Sequence, residues 1–157
     1  MAGSLKLLRF LNESLQDMNC PEVILRSHPF TPIEALTKKY DIKLPPNFKI
    51  SKNRNFEEEL KETSMLIYTD TTSSMEAVMC GIPVVCVDFK EPANSDPLFK
   101  ISSFKWAVSN KEELLKAIDD IYSMNNDDYL KRYKEAMDYL KRYFYPVEGM
   151  YLKKFIT

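Results

Sequence analysis

The sequence predicts an α/β fold: a doubly wound parallel sheet with helices on both faces and further helices at the C-terminus. Three observations carry this. Short apolar runs alternate with segments of helical periodicity along most of the 157 residues. Pro83-Val84-Val85-Cys86-Val87 is almost wholly apolar, as a parallel strand covered on both faces must be. The apolar runs end in polar loops, and in such sheets ligands bind beyond the carboxyl ends of the strands.

The elements follow in order. Leu7, Leu8, Leu11, Leu15 and Met18 recur at helical spacing and predict a helix from Leu5 to Met18, stopped by Asn19 and Pro21. Glu22 to Leu25 is a strand that runs into Arg26-Ser27-His28-Pro29. Thr31-Pro32 opens a helix lasting to about Tyr40, with proline in its first turn. Leu44 to Asn47 is a turn, Phe48 to Ser51 a second short strand, and Phe56 to Glu62 a helix. Met65 to Tyr68 is a buried strand, followed by the loop Thr69 to Ser74. Met75 to Cys80 is a short helix closed by Gly81. After the Pro83 to Val87 strand comes a long polar loop, Asp88 to Ser103, then a weak strand, Lys105 to Val108. Ser109-Asn110 caps a helix from Lys111 to Met124, another runs from Asp127 to about Phe144, and a last one covers the end. The chain thus opens on a helix where a doubly wound domain opens on a strand. Lack of that strand would leave a gap at the centre of the sheet.

Composition bounds the function. At 45% hydrophobic, 29% charged and a net charge of -1, the chain suits one folded domain and gives no footprint for nucleic acid. Cys20, Cys80 and Cys86 are odd in number, and two sit in apolar runs, so they read as buried free thiols of a cytoplasmic protein. They lack metal-ligand spacing and there is a single histidine, so neither a metal nor another cofactor is expected. No apolar run reaches the roughly 18 to 20 residues that cross a bilayer. Residues 1–4, Met-Ala-Gly-Ser, read as an expression scar, leaving 5–157 as one domain whose natural chain continued upstream.

The chemistry falls in three loops: Arg26-Ser27-His28, Ser51-Lys52-Asn53-Arg54, and Thr69 to Ser74. The third leads into a helix, whose free N–H groups and partial positive charge suit a phosphate. Thr72, Ser73 and Ser74 add hydroxyls there, and Glu76, one turn on, can accept from ribose hydroxyls. The same Ser73-x-x-Glu76 spacing is also a capping box, which needs no ligand. His28 can stabilise developing negative charge or simply hydrogen-bond its own turn.

Strand, Ser/Thr-rich loop, Ser-x-x-Glu-Ala, Gly-x-Pro and apolar strand, residues 65 to 87, resemble the C-terminal domain of GT-B glycosyltransferases. The layout is similar in glycerophosphotransferases of teichoic acid synthesis and in sugar-nucleotide 2-epimerases. The likeness spans roughly residues 5 to 125. It implies a Rossmann-like nucleotide-binding domain that uses a nucleotide-diphosphate sugar for surface polysaccharide or glycan synthesis. Ser73 and Ser74 would contact the diphosphate with Thr72 beside them, Glu76 the ribose, and Lys52 and Asn53 would lie near the base. Arg26 and His28 would face the phosphates, His28 in the catalytic role. The N-terminal acceptor domain of such an enzyme is absent, so binding without turnover is expected; peripheral membrane association of the full-length protein stays open. Departures matter. One large retaining group carries Glu where Tyr68 stands, and epimerases carry further acids in the loop, which here is Thr-Thr-Ser-Ser. The remaining alternatives are an epimerase-like half and a non-catalytic Rossmann-like binding or assembly module.

Overall fold

The computed structural model describes residues 2–16, 21–28, 30–52, 55–91 and 96–144. It is a mixed α/β structure in which every strand pairing is parallel. The order is α1 (Ala2–Ser14), β1 (Val23–Leu25), α2 (Ile33–Tyr40), β2 (Phe48–Ile50), α3 (Phe56–Leu60), β3 (Leu66–Tyr68), α4 (Ser73–Met79), β4 (Val84–Val87), β5 (Lys105–Val108), α5 (Lys111–Tyr122) and α6 (Asn126–Tyr143). The sequence places each of these elements, with ends that differ by a few residues. The largest difference is α1, which begins at Ala2 and so takes in most of the residues set aside as a scar, and which ends at Ser14 rather than Met18. The helix expected at the C-terminus, 145–157, lies outside the described residues.

The expected single sheet is in two pieces. β1 and β2 form one, in register Val23↔Phe48, and β3, β4 and β5 form the other. β4 is central in its sheet and buried at all four positions, as its unbroken apolar run requires. Its side chains alternate between two cores. Val85 and Val87 join Leu8, Leu11, Leu36 and Leu114, from α1, α2 and α5. Val84 and Cys86 join Leu60, Val78, Ala136 and Leu140, from α3, α4 and α6. Helices therefore cover both faces of the three-stranded sheet.

Local signals explain the ends of the helices. Asn55, Asn110 and Asn125 cap α3, α5 and α6, each side chain accepting from backbone N–H groups of the first turn. Gly81, at φ +79, reverses the chain after α4, and a Cβ there would lie 2.8 Å from the Tyr129 hydroxyl. That hydroxyl donates to the Gly81 carbonyl at 2.6 Å. Tyr133 and Tyr139 donate to the carbonyls of Met79 and Pro97. The aromatic side of α6 is thus packing, although Tyr143 is exposed. The methionines differ in depth: Met75 is buried, Met65 half-buried and Met79 about half exposed.

Between Tyr68, Asp96 and Lys105 lies a buried polar cluster the sequence does not announce. Asp96 accepts from the Tyr68 hydroxyl at 2.7 Å, the Leu98 N–H at 3.0 Å and Lys105 Nζ at 2.8 Å. Lys105 also donates to the Leu98 carbonyl at 2.6 Å. Burial, with the Asp96 hydrogen bond second, raises the Tyr68 phenol and keeps it a donor.

Of the thiols expected to be buried, Cys86, beside this cluster, is; Cys80 instead is exposed, because it stands at the C-terminal end of α4, and Cys20 lies outside the described residues. Burial first, then the Asp96 charge, pushes the Cys86 thiol up to about 11. A thiol must ionise to react. At pH 8 a maleimide is expected to label Cys80 and to label Cys86 at least about 100-fold more slowly until denaturant is added. Peptide mass mapping reads this directly; equal native labelling would contradict the packing described.

Candidate functional site

The two sheets do not meet. A groove of about 580 Å³ separates β1 from β3. Both strand edges line it, Val23 to Leu25 on one side and Leu66 to Tyr68 on the other. Leu7, Leu8 and Leu11 of α1 cover one face, and Phe56 and Leu60 of α3 the other. At the carboxyl ends of the strands the lining turns polar: Arg26, Ser27, His28 and Thr31 after β1, and Thr69, Asp70, Thr71 and Ser73 after β3. This is where a parallel strand arrangement presents its loops.

Of the residues singled out from the sequence, Arg26, His28 and Ser73 line this groove together. Arg26 is held in place. Its Nη1 donates to Glu59 Oε2 at 2.7 Å, and its guanidinium lies 5.1 Å from the centre of the Phe56 ring. A guanidinium carries five N–H donors in a rigid, planar fork, so the Glu59 carboxylate and the Phe56 ring together fix its direction. Glu59 is half-buried and lines the groove, while its neighbours Glu57 and Glu58 are exposed.

His28 does bond its own turn. Its Nδ1 accepts from the Phe30 N–H at 3.2 Å, and its carbonyl accepts from Thr31 N at 2.9 Å. An accepting Nδ1 puts the proton of the neutral ring on Nε2. The exposed ring thus offers one donor, which suits an anionic oxygen.

Ser73 and Glu76 do not form the capping box. Thr71 does the work instead. Its Oγ1 accepts from Ser73 N at 3.3 Å, and its carbonyl accepts from the Ser74 hydroxyl at 2.8 Å. Ser74 is fully buried and its hydroxyl points into the protein. The Glu76 carboxylate is exposed and makes no hydrogen bond or ion pair among the described residues. Thr72 and Lys52 are also exposed, and neither they nor Ser74 nor Glu76 line the groove. Asn53 and Arg54 lie outside the described residues. Asp88 forms a local turn, accepting from Lys90 N at 2.7 Å, away from the groove.

Three further residues stand at the groove mouth: Asp70, inside the Thr69 to Ser74 loop, and Phe30 and Thr31, outside the loops singled out. Asp70 is the sole acid of its loop and lies against the start of α1, where a Cβ on Gly3 would sit 3.4 Å from Oδ1. Thr31 adds a hydroxyl beside His28. Phe30 is 88% exposed, with its ring 5.6 Å from the His28 ring. The signal available for Asp70 was its position two residues after an apolar strand; for Phe30 it was an aromatic inside a polar turn.

Chemically, the mouth offers two donors for an anionic group, Arg26 and His28 Nε2, and one carboxylate, Asp70, that accepts from hydroxyls. Among the described residues no three His, Cys, Asp or Glu side chains gather to hold a metal ion. Among them, too, no helix is long and apolar enough to cross a membrane. No family model, curated protein or solved structure matches the chain.

Proposed function

We propose that the chain is the donor-binding domain of a GT-B type glycosyltransferase, acting in the cytoplasm on a nucleotide-diphosphate sugar for surface polysaccharide or glycan synthesis. In this reading the two sheets are halves of one Rossmann-like doubly wound sheet, and the acceptor domain is a separate unit that the chain needs for turnover. One observation carries it: the loops after β1 and β3 converge on a single groove mouth and bring Arg26, His28, Asp70 and Ser73 together. The diphosphate lies between Arg26 and His28, where charge-assisted N–H donors are strongest. Asp70 accepts from sugar or ribose hydroxyls, and Glu76 holds the ribose of a donor that extends over α4. His28 Nε2 stabilises charge on the leaving phosphate.

Two observations favour a second reading, a non-catalytic binding module. Arg26 already has a carboxylate partner, and Ser74 is buried. The measurement that separates the two is an NMR titration with UDP, CDP, GDP and CMP. One nucleotide is expected to shift the amides of 26–28 and 69–73, and Arg26→Ala to weaken it about tenfold or more, the scale of a charged hydrogen bond. Absence of binding by all four would sink the donor-site reading.

A further inference from the structure

We infer that the groove between β1 and β3 is the seat of one more β-strand, apolar on both faces, parallel to its neighbours and leading directly into α1 on the same polypeptide. The inference rests on the reading of the two sheets as halves of one, and does not depend on the donor.

The backbone makes the case first. Val23 N donates to Asn47 O and Leu25 O accepts from Ser51 N, so these residues turn their polar groups to β2. Successive residues of a strand alternate, so Ile24 turns its N–H and C=O into the groove. In β3, Leu66 N donates to Pro83 O, so by the same alternation Ile67 turns its groups into the groove from the other side. Two open parallel edges thus face each other across one space, and a strand between them would satisfy both.

The side chains agree. Ile24 is 42% exposed, and Leu66 and Ile67 are half-buried, against full burial of β4. An apolar strand residue facing an apolar groove is a partly built core. Because α1 covers one face and α3 the other, the occupant must be apolar on both, as central parallel strands are.

The path of α1 names the source. Its start lies at the carboxyl edge of β3, with Gly3 against Thr69 and Asp70 and with Ser4 lining the groove. It ends at the opposite edge, where the carbonyl of Leu15, the next residue after Ser14, accepts from Asn47 Nδ2 just ahead of β2. α1 therefore runs antiparallel to the strands and delivers the chain to the start of β1. That is the return half of a β-α-β crossover, whose first strand lies parallel to the second in the same sheet and is almost always connected right-handed. The vacant seat is next to β1 and in reach of the α1 N-terminus, so a strand joined there fits without a long connection.

The test extends the full chain. A strand of about five valine and isoleucine residues, followed by a short glycine-containing turn, is fused ahead of α1. A control carries proline at the strand centre, which removes a ladder donor. Amide hydrogen exchange is read by NMR at Ile24 and Ile67. The fused strand is expected to slow exchange about 100-fold at both amides in a monomer, with the proline control showing no such gain. No gain at either amide, or an equal gain with proline, overturns the proposal. A gain at one amide alone shows edge addition to sheets that stay separate, which overturns the one-sheet reading with it. Protection of both amides in the unextended chain that rises with protein concentration assigns the seat to a second copy and overturns the single-chain source. Nucleotide titration is a separate readout, so failure of the donor reading would not resemble any of these.

Discussion

Replacement of Asp96 by alanine is expected to lower stability by about 3 to 5 kcal/mol, the cost of breaking a buried ion pair from one side. The pair is well shielded: the side chains of Lys105 and Asp96 are 9% and 6% exposed. Removal of the carboxylate leaves the Lys105 ammonium with the Leu98 carbonyl alone of these partners, and leaves the Tyr68 hydroxyl and Leu98 N–H without their acceptor. The same argument gives an opposite result for a paired change. Asp96→Leu with Lys105→Met removes both charges, and its loss should be much smaller than that of Asp96→Ala, because apolar replacement of a buried pair is often near neutral. Urea denaturation followed by circular dichroism measures both. If the double variant were as unstable as the single one, the cluster would owe its worth to the hydrogen bonds of Tyr68 and Leu98 and not to charge.

Phe104→Ala should cost a similar amount, about 3 to 5 kcal/mol for a buried phenylalanine. The ring is fully buried and lies 5.2 Å from the Tyr129 ring, edge to face, and 5.6 Å from Tyr133. It joins β5 to α6 across the second core. Its backbone adds an unusual feature: φ is +61, a left-handed conformation that costs a non-glycine residue about 1 kcal/mol or more. The ring's packing holds that strain in place. Truncation to glycine removes the ring too, but relieves the strain. Phe104→Gly is therefore expected to be at least as stable as Phe104→Ala, the reverse of their usual order in regular structure. Thermal unfolding of the two variants side by side decides it, and a clearly less stable glycine variant would contradict the strain argument.

The elements were legible because each rests on a local rule. The apolar run of β4, the asparagine cap of α5 and the glycine after α4 all act within a few residues. What lay beyond local rules was not legible. The bond from Tyr68 to Asp96 and that from Lys105 to Asp96 depend on how a strand, a loop and a second strand come together. Nothing in the sequence around Asp96 distinguishes it from a solvated loop acid. The candidate site divides the same way. The loops after β1 and β3 could be placed at the carboxyl ends of strands, and the structure gathers Arg26, His28 and Ser73 there. Which hydroxyls face outward could not be read, because Thr71 takes the capping role and turns Ser74 inward.

The chain has a single tryptophan. Trp106 sits in β5, with the Arg132 guanidinium of α6 5.5 Å from its ring. Its fluorescence therefore reports on the three-stranded sheet and the docking of α6 in one signal. The α1–β1–α2–β2 portion holds only tyrosine and phenylalanine as aromatic reporters, with Tyr40 against Arg9. Trp106 nevertheless packs against the core that α1, β1, α2 and β2 share with α5. A tryptophan-detected melt therefore registers the undocking of that portion through the loss of its contacts with the indole, and the tyrosines give the independent check.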